Sequence, residues 1–149
     1  MNPLPLIIRY TWAAPASMVG LLLSAIALSL GATCRVVDGV AEVAGGRFYR
    51  VIPLLPRIFR FEAITFGHVV IGLDHSLLSL LRTHEHTHVR QYERWGLLLI
   101  PLYLLSSAAQ LLRGHDPYLY NRFEKEAFAK AATPPAGVHA AGEKGNGNA

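Results

Sequence analysis

Residues 75–94 read HSLLSLLRTHEHTHVRQYER, and this stretch decides both the fold and the chemistry that the chain predicts. It contains the pattern H-E-x-x-H, formed by His84, Glu85 and His88. Histidines four positions apart on a helix project about 40° apart, so both imidazoles can reach one metal ion. Glu85 projects about 60° from His88, near enough to accept a proton from a water molecule that the metal activates. The stretch therefore predicts a helix that binds a metal ion.

A helical wheel divides this segment into an apolar face and a polar face. The residues within about 80° of His84 are mostly apolar, and the opposite side is mostly charged. The first group is Leu77, Leu80, Leu81, His88 and Tyr92; the second is Arg82, Thr83, His86, Arg90, Glu93 and Arg94. The apolar face packs inward, and buried imidazoles need partners, which favours a bound metal. His86 is predicted to face solvent. The competing interpretation is three surface histidines on a polar helix.

The third ligand must come from another part of the chain, because a catalytic zinc site keeps three protein ligands and one open position. Residues 119–132 have helical character, and Glu124 and Glu126 there project about 200° apart. Glu126 lies four residues from Arg122 and four from Lys130, which is typical of a solvated face. Glu124 shares its side with an apolar group, namely Tyr120, Phe128 and Ala131. Glu124 is therefore the favoured ligand.

The predicted set of Zn²⁺ ligands is His84, His88 and Glu124. Three further side chains stay open as replacements for the glutamate: His115 and Asp116 in the preceding turn and, more weakly, His68 on a predicted strand. An electron-transfer haem is disfavoured, because histidines four positions apart lie too close together to be opposite axial ligands of one haem.

The composition is apolar and basic. The chain has 149 residues with 14 Lys plus Arg and 10 Asp plus Glu, and it is 52% hydrophobic. Only 16% of its residues are charged, against about 25% in typical soluble domains. One domain fits this length. The single cysteine, Cys34, excludes an intrachain disulfide framework, and we expect a buried or idle thiol. No RNA-binding or DNA-binding motif is present, so the expected partner is a membrane and no nucleic acid.

The N-terminal region predicts a membrane span. No charged residue occurs between Arg9 and Arg35, and residues 11–31 are long enough to cross a bilayer. A cleaved signal sequence and a buried core helix are the alternatives. The basic loop that follows favours a cytoplasmic position for the rest of the chain. We expect a protein of the bacterial inner membrane.

The remaining segments predict a small sheet and more helices. Residues 35–72 are rich in valine, glycine and proline and predict two to four short strands, with residues 63–72 as one strand. A second uncharged run covers residues 95–112, at the short limit for a span, and is predicted to be a spanning, buried or half-inserted helix. The composition of residues 133–149 predicts a disordered tail.

The spacing of these motifs resembles a known family. The segment 84–88, followed 36 residues later by Phe-Glu-Lys-Glu-Ala at 123–127, resembles the glutamate zincins of the membrane-bound CAAX-prenyl endopeptidase type, with Phe128 where that type usually has Asp. More closely, the chain resembles a group of small bacterial proteins over residues 60–130. The matching positions are Thr65, Gly67, His68, Val69, His84, Glu85, His88, Val89, Gln91, Tyr92, Glu93, Arg94, Trp95, Gly96, Pro101, Tyr103, Asp116, Pro117, Tyr118, Asn121, Phe123, Glu124, Glu126 and Ala127.

The segment patterns and the resemblance together predict an α+β fold with an N-terminal transmembrane helix, a small antiparallel sheet, a zincin-like metal helix and two further helices; the resemblance supplies the zincin-like part. The membrane anchor would cover residues 1–34. The zincin-like domain would cover residues 35–132 and include an apolar helix at 97–112. The resemblance also implies Glu124 as the third zinc ligand.

The resemblance implies a cleft strand that pairs with extended substrate. Its expected residues are Thr65, Phe66, Gly67 and His68, with Gly67 allowing close approach of a backbone or marking a bulge. Two tyrosines are candidates to stabilise the oxyanion, or to pack as aromatic residues: Tyr118 and Tyr120. Two further side chains could orient the histidine ligands: Asp116 and Asn121.

The expected function is a membrane-associated zinc metallopeptidase acting on a peptide or protein substrate. Glu85 would act as the general base and then as the general acid. The alternatives are a non-catalytic membrane protein in which a metal joins two helices, and a metal-free membrane scaffold.

Overall fold

The structure is a computed structural model that describes residues 5–54 and 61–132. The predicted disordered tail at 133–149 lies outside the described residues. The elements, in chain order, are α1 (Leu6–Ser29), β1 (Thr33–Val37), β2 (Val40–Ala44), α2 (Phe48–Val51), β3 (Ala63–Phe66), β4 (Val69–Gly72), α3 (His75–Trp95), α4 (Leu99–Leu112) and α5 (Arg122–Ala132). Short 3₁₀ turns at Ile52–Leu54 and Gly96–Leu98 follow α2 and α3. The predicted helix over 75–94 is confirmed.

The four strands form one mixed sheet in the order β1-β2-β4-β3. The two outer pairs, β1 with β2 and β3 with β4, are antiparallel, whereas the central pair, β2 with β4, is parallel. The prediction of an antiparallel sheet was therefore wrong for the centre. The prediction of one strand over 63–72 was also wrong, because the chain turns at Gly67, whose φ is +59°, and separates β3 from β4.

Helices cover both faces of the sheet, which explains the nearly continuous apolar run of β4. On one face, Val69 and Ile71 of β4 pack against Ala27 of α1. On the other face, Val70 packs against Leu78 and other residues of α3. The sheet is therefore the middle layer between α1 and the histidine helix.

Helix α1 contacts the sheet through small residues. Its buried positions are Ala13, Ala16, Gly20, Ser24 and Ala27. A Cβ atom at Gly20 would lie 2.7 Å from Val69 Cβ, so only glycine permits this approach. The predicted anchor is thus packed along the domain rather than set apart from it.

Two helical stretches, Leu6–Ser29 and His75–Leu112, are long and apolar enough to cross a membrane. The criterion is length and composition only, and a core helix or a signal sequence also meets it.

Two capping features set the ends of α3. Asp74 accepts a hydrogen bond from Leu77 N (2.8 Å) and begins the helix. Gly96 ends it with a φ of +55°, and a Cβ atom there would lie 2.9 Å from the ring of Trp12. Helix α5 packs against α3, and this contact brings the last helix to the histidines.

Candidate metal centre

Three side chains from α3 and α5 converge on one point. His84 Nε2 lies 3.2 Å from His88 Nε2 and 3.0 Å from Glu124 Oε2. His88 Nε2 lies 3.4 Å from Glu124 Oε1. His84 and Glu124 are buried, and the side chain of His88 is 13% exposed. The group could hold a metal ion, and no fourth His, Cys, Asp or Glu joins it among the residues that the structure describes.

The two histidine nitrogens are separated by about one edge of a coordination tetrahedron. Ligand atoms about 2.0–2.1 Å from a tetrahedral zinc ion lie about 3.3 Å from one another. His84 Nε2 and His88 Nε2 are 3.2 Å apart, and they lie 3.0 and 3.4 Å from different oxygens of Glu124. Glu124 Oε2 is buried and has no hydrogen bond of acceptable geometry despite its short distance to His84. The arrangement is therefore compatible with a metal ion that these residues share, and hydrogen bonds within the group leave Glu124 Oε2 without a partner.

The amide of Gln91 fixes the tautomer of His88. Gln91 Nε2 donates to Phe123 O (3.1 Å) and to Glu126 Oε2 (3.0 Å), so its Oε1 atom must be the acceptor facing His88 Nδ1, at 2.8 Å. The proton of the neutral ring therefore lies on Nδ1, and the lone pair of Nε2 points to the other ligands. His84 Nε2 lies 3.2 Å from His88 Nε2, so the two nitrogens can share a proton or a cation.

Glu124 is held as a carboxylate. Burial acts to raise its pKa, but the contacts with the two imidazoles outweigh burial and hold the pKa at about 2. Tyr103 of α4 adds a hydrogen bond from its Oη atom to Glu124 Oε1 at 2.7 Å. The side chain is thus available as an anionic ligand at neutral pH.

Glu85 lies beside the ligand group and is anchored from the sheet. Its side chain is buried, and Thr65 Oγ1 on β3 donates to Glu85 Oε2 at 2.7 Å. No hydrogen bond to Glu85 Oε1 occurs among the described residues, which leaves that oxygen available for proton transfer. The strand thereby sets the position of the predicted base.

A cavity of about 520 Å³ opens at this point. His84, Glu85, His88 and Glu124 form its polar part. Its apolar walls come from β3 and α4 and comprise Ala63, Ile64, Phe66, Leu99, Ile100 and Leu104. A site with three ligands, an adjacent carboxylate and space for a second molecule has the parts that metal-assisted hydrolysis requires.

The two candidate tyrosines lie in different surroundings. Tyr118 lines the cavity, and burial together with the charge of Glu124 raises its pKa, so its phenol stays protonated. Tyr120 is outside the cavity lining, with its ring stacked on His115 at 4.8 Å. Lys125 Nζ lies 4.8 Å from the same ring. Of these two tyrosines, only Tyr118 can therefore contact a molecule in the cavity.

The polar residues before α5 bond to the backbone and to α4. Asp116 accepts hydrogen bonds from Tyr118 N and Leu119 N, at 2.8 and 2.7 Å. Asn121 donates to Tyr103 O (3.0 Å) and to a serine of α4, and accepts from Phe123 N. Neither side chain bonds to a histidine among the described residues. Asn121 instead joins α4 to the start of α5 and so positions Tyr103 relative to Glu124.

The predicted substrate strand is divided between two places. Thr65 and Phe66 line the cavity, but Gly67 and His68 lie at the turn beyond it. A Cβ atom at Gly67 would collide with Ser17 of α1, so the backbone that approaches this glycine closely belongs to the chain itself. His68 bonds to Glu93 (3.1 Å) and is not part of the ligand group.

His86 does not face solvent as predicted. Its side chain is 12% exposed and lies 3.5 Å from Glu42 of β2. The prediction failed because the sheet covers the face of α3 opposite His84. The thiol of Cys34 is exposed, so burial, one of the two fates expected for this thiol, was wrong.

The sequence analysis assigned no site role to Gln91 or Tyr103. It also did not predict that Thr65 bonds to Glu85. Tyr103 is a hydroxyl within the uncharged run 95–112, and a polar group in such a run needs a partner. Gln91 lies one turn after His88 on the same helix. The positions of Gln91 and Tyr103 indicate that each needs a polar contact, but the sequence does not identify the residue that it contacts.

Comparisons of the chain with protein-family models, with curated proteins and with solved structures found no match.

Proposed function

We propose that the chain is a membrane-associated zinc metallopeptidase that hydrolyses peptide bonds. The observation that supports the proposal is the convergence of His84, His88 and Glu124 on one point, at a cavity that Glu85 also lines. Two imidazole nitrogens and one carboxylate are a ligand set that zinc accepts. The fourth position would open toward the cavity.

The roles of the side chains follow from their places. Bound zinc would lower the pKa of a water molecule and polarise the peptide carbonyl. Glu85 accepts the proton of the attacking water through Oε1, while Thr65 holds Oε2. Glu85 then passes that proton to the leaving amine. Tyr118 donates a hydrogen bond to the carbonyl oxygen as negative charge develops on it.

The sheet offers a place for the substrate backbone. β3 is an edge strand that pairs only with β4 among the described residues, and it lines the cavity beside Glu85. An extended peptide can add to such an edge through backbone hydrogen bonds. The apolar residues of β3 and α4 would then receive one side chain of the peptide.

The test compares the parent chain with Glu85→Gln, both loaded with zinc, on a library of peptides. We expect Glu85→Gln to keep its zinc and to lose about 10²- to 10⁴-fold in turnover. Asp38→Asn, at an exposed site in the turn between β1 and β2, is the matched control, and its turnover should stay near that of the parent chain. Equal turnover of Glu85→Gln and the parent would show that Glu85 is not the base.

A metal that only joins α3 to α5 is the second candidate, because the ligands come from both helices. In that case the zinc-loaded parent chain would cleave no peptide of the library, while removal of zinc would lower its free energy of unfolding.

A further inference from the structure

The domain lies alongside α1 over most of the helix. Near its start, Tyr10 Oη donates to Gly39 O at 2.9 Å. In the middle, Gly20 contacts β3 and β4. Just beyond its end, Leu30 O accepts a hydrogen bond from Arg47 N at 2.9 Å. The helix therefore cannot leave the sheet without breaking contacts from one end to the other.

This packing is incompatible with α1 crossing a bilayer. A crossing helix would carry the sheet with it to the depth of the hydrocarbon. The outer strand β1 is exposed and includes Arg35. Exposed sheet edges do not occur in the hydrocarbon region, because their backbone groups would have no hydrogen-bond partners. The sheet belongs in water, so α1, which lies along the sheet, does not cross the hydrocarbon.

The second apolar stretch meets the length and composition test for a span, but it is not one continuous α-helix. Helix α3 stops at Gly96, whose φ of 55° and ψ of −139° are not helical. The uncharged helix α4 has 14 residues, a length of about 21 Å. The hydrocarbon core of a bilayer is about 30 Å thick.

Both helices nevertheless expose large apolar side chains. Leu22 of α1 is 69% exposed and Leu105 of α4 is 66% exposed. No charged residue occurs from Tyr10 to Cys34 or from Trp95 to Leu112. Helix α1 approaches the start of α4, where Ala13 and Leu99 belong to one buried apolar cluster. We call the outer sides of α1 and α4 the apolar face; it comprises Leu6, Met18, Leu22, Leu98, Leu105 and Leu112.

Cationic side chains border the apolar face at the start of α1. Arg9, Arg90 and Arg94 line a cavity of about 610 Å³ together with Leu6 and Tyr10. Arg9 pairs with Glu93 at 3.7 Å and Arg94 pairs with Glu126 at 3.8 Å, whereas Arg90 makes no ion pair among the described residues. An apolar surface with a cationic border complements an anionic lipid surface better than it complements a second apolar protein surface.

We infer that the chain binds one leaflet of an anionic membrane through the apolar face, with α1 parallel to the bilayer plane and with no segment crossing among the described residues. The inference does not depend on catalysis, because it concerns the surface of the helices and not the ligand group.

Thiol labelling of membranes from cells that express the full chain tests the orientation of α1. Cys34, just after α1, is the only cysteine and is exposed. A second form carries Cys34→Ser with Pro5→Cys, which moves the thiol to the exposed position before α1. An impermeant maleimide is added to spheroplasts and to inverted vesicles. Labelling of both forms from the same side supports the inference. Labelling from opposite sides would show that α1 crosses and would overturn it.

Two replacements by lysine, Leu22→Lys and Val36→Lys, test whether the apolar face binds a lipid surface. Leu22→Lys places a charge on the apolar face, and Val36→Lys makes a comparable change at a 74% exposed site on β1. The probe is a vesicle of phosphatidylcholine mixed with phosphatidylglycerol. We expect Leu22→Lys to weaken partitioning by about tenfold or more and Val36→Lys to leave it unchanged. Equal effects of the two replacements would overturn the inference. So would a parent chain that ignores vesicles and forms a dimer that Leu22→Lys dissociates.

Discussion

The two faces of α3 each hold a buried glutamate beside histidines, but the two glutamates are compensated differently. On the sheet side, Glu42 receives two hydrogen bonds from Arg82, at 2.8 and 3.0 Å, and lies near His86. On the α5 side, Glu124 meets only two imidazoles and a tyrosine, with no Lys or Arg at ion-pair distance among the described residues.

The difference is that Glu42 has a permanently charged partner, whereas Glu124 has none among the described residues. The guanidinium of Arg82 supplies a full positive charge to Glu42, and its hydrogen bonds hold the pKa of Glu42 below the ordinary value. Glu124 is also buried, yet its partners are two imidazoles and a phenol, none of which is a permanent cation. A buried carboxylate without a fixed cation is costly, so a bound metal cation completes the α5 side in the way that Arg82 completes the sheet side.

The largest expected effect is on zinc affinity. Glu124→Gln removes the only anionic ligand, and we expect the dissociation constant for zinc to rise about a thousandfold, measured by competition with a chelating dye. Glu42→Gln is the matched control, because it changes a buried glutamate on the other face of α3. If both variants lost zinc equally, the distinction between the two faces would fail.

The next effect is on folding. Arg82→Ala leaves Glu42 buried without its main partner, and we expect the free energy of unfolding to fall by about 2–3 kcal/mol in urea titrations. Arg90→Ala, an exposed site on the same helix, should change it by less than about 0.5 kcal/mol. An equal fall in the free energy of unfolding of both variants would show that the Glu42–Arg82 pair stabilises the fold no more than an exposed arginine does.

A smaller effect is expected at Tyr103. Tyr103→Phe removes the hydrogen bond to Glu124 Oε1 but keeps the ring, which stacks near Phe123. We expect zinc affinity to fall about tenfold, the usual range for a residue that orients a ligand. Unchanged affinity, measured with the same dye, would mean that the hydroxyl does not position Glu124.

The smallest effect concerns pH. The hydrogen bonds and charge of Arg82 lower the pKa of Glu42 below the ordinary value of 4.5. This contribution to stability is therefore present above pH 4.5 and is lost as the pH falls through the lowered value. Urea titrations in acid should show a shallower loss of stability for Glu42→Gln than for the parent chain. Parallel curves for the two proteins would contradict this assignment.

The sequence predicts the α5 side of α3 because that information is local. The i,i+4 spacing of His84 and His88 and the apolar stripe around Glu124 both follow from helical periodicity. Each helix could be assigned a face without knowledge of its neighbours, and the structure brings those faces together. The zinc and peptidase predictions remain proposals.

The sheet side could not be predicted in the same way. The parallel pairing of Val43 with Ile71 joins strands that are far apart in the sequence, and no local pattern gives the direction of such a pair. The wheel assigned His86 to solvent because it assumed that only one face of α3 is covered. Burial of that face depends on β2, whose Glu42 supplies the charge that Arg82 needs.

Metal analysis of the full chain, purified without chelators, tests the central claim most directly. The account predicts about one zinc per chain, lost in Glu124→Gln and retained in Glu42→Gln. X-ray absorption should then show two imidazole nitrogens and carboxylate oxygen around the ion. Less than about one-tenth equivalent of zinc in the parent chain, with no uptake after zinc is added, would contradict the account.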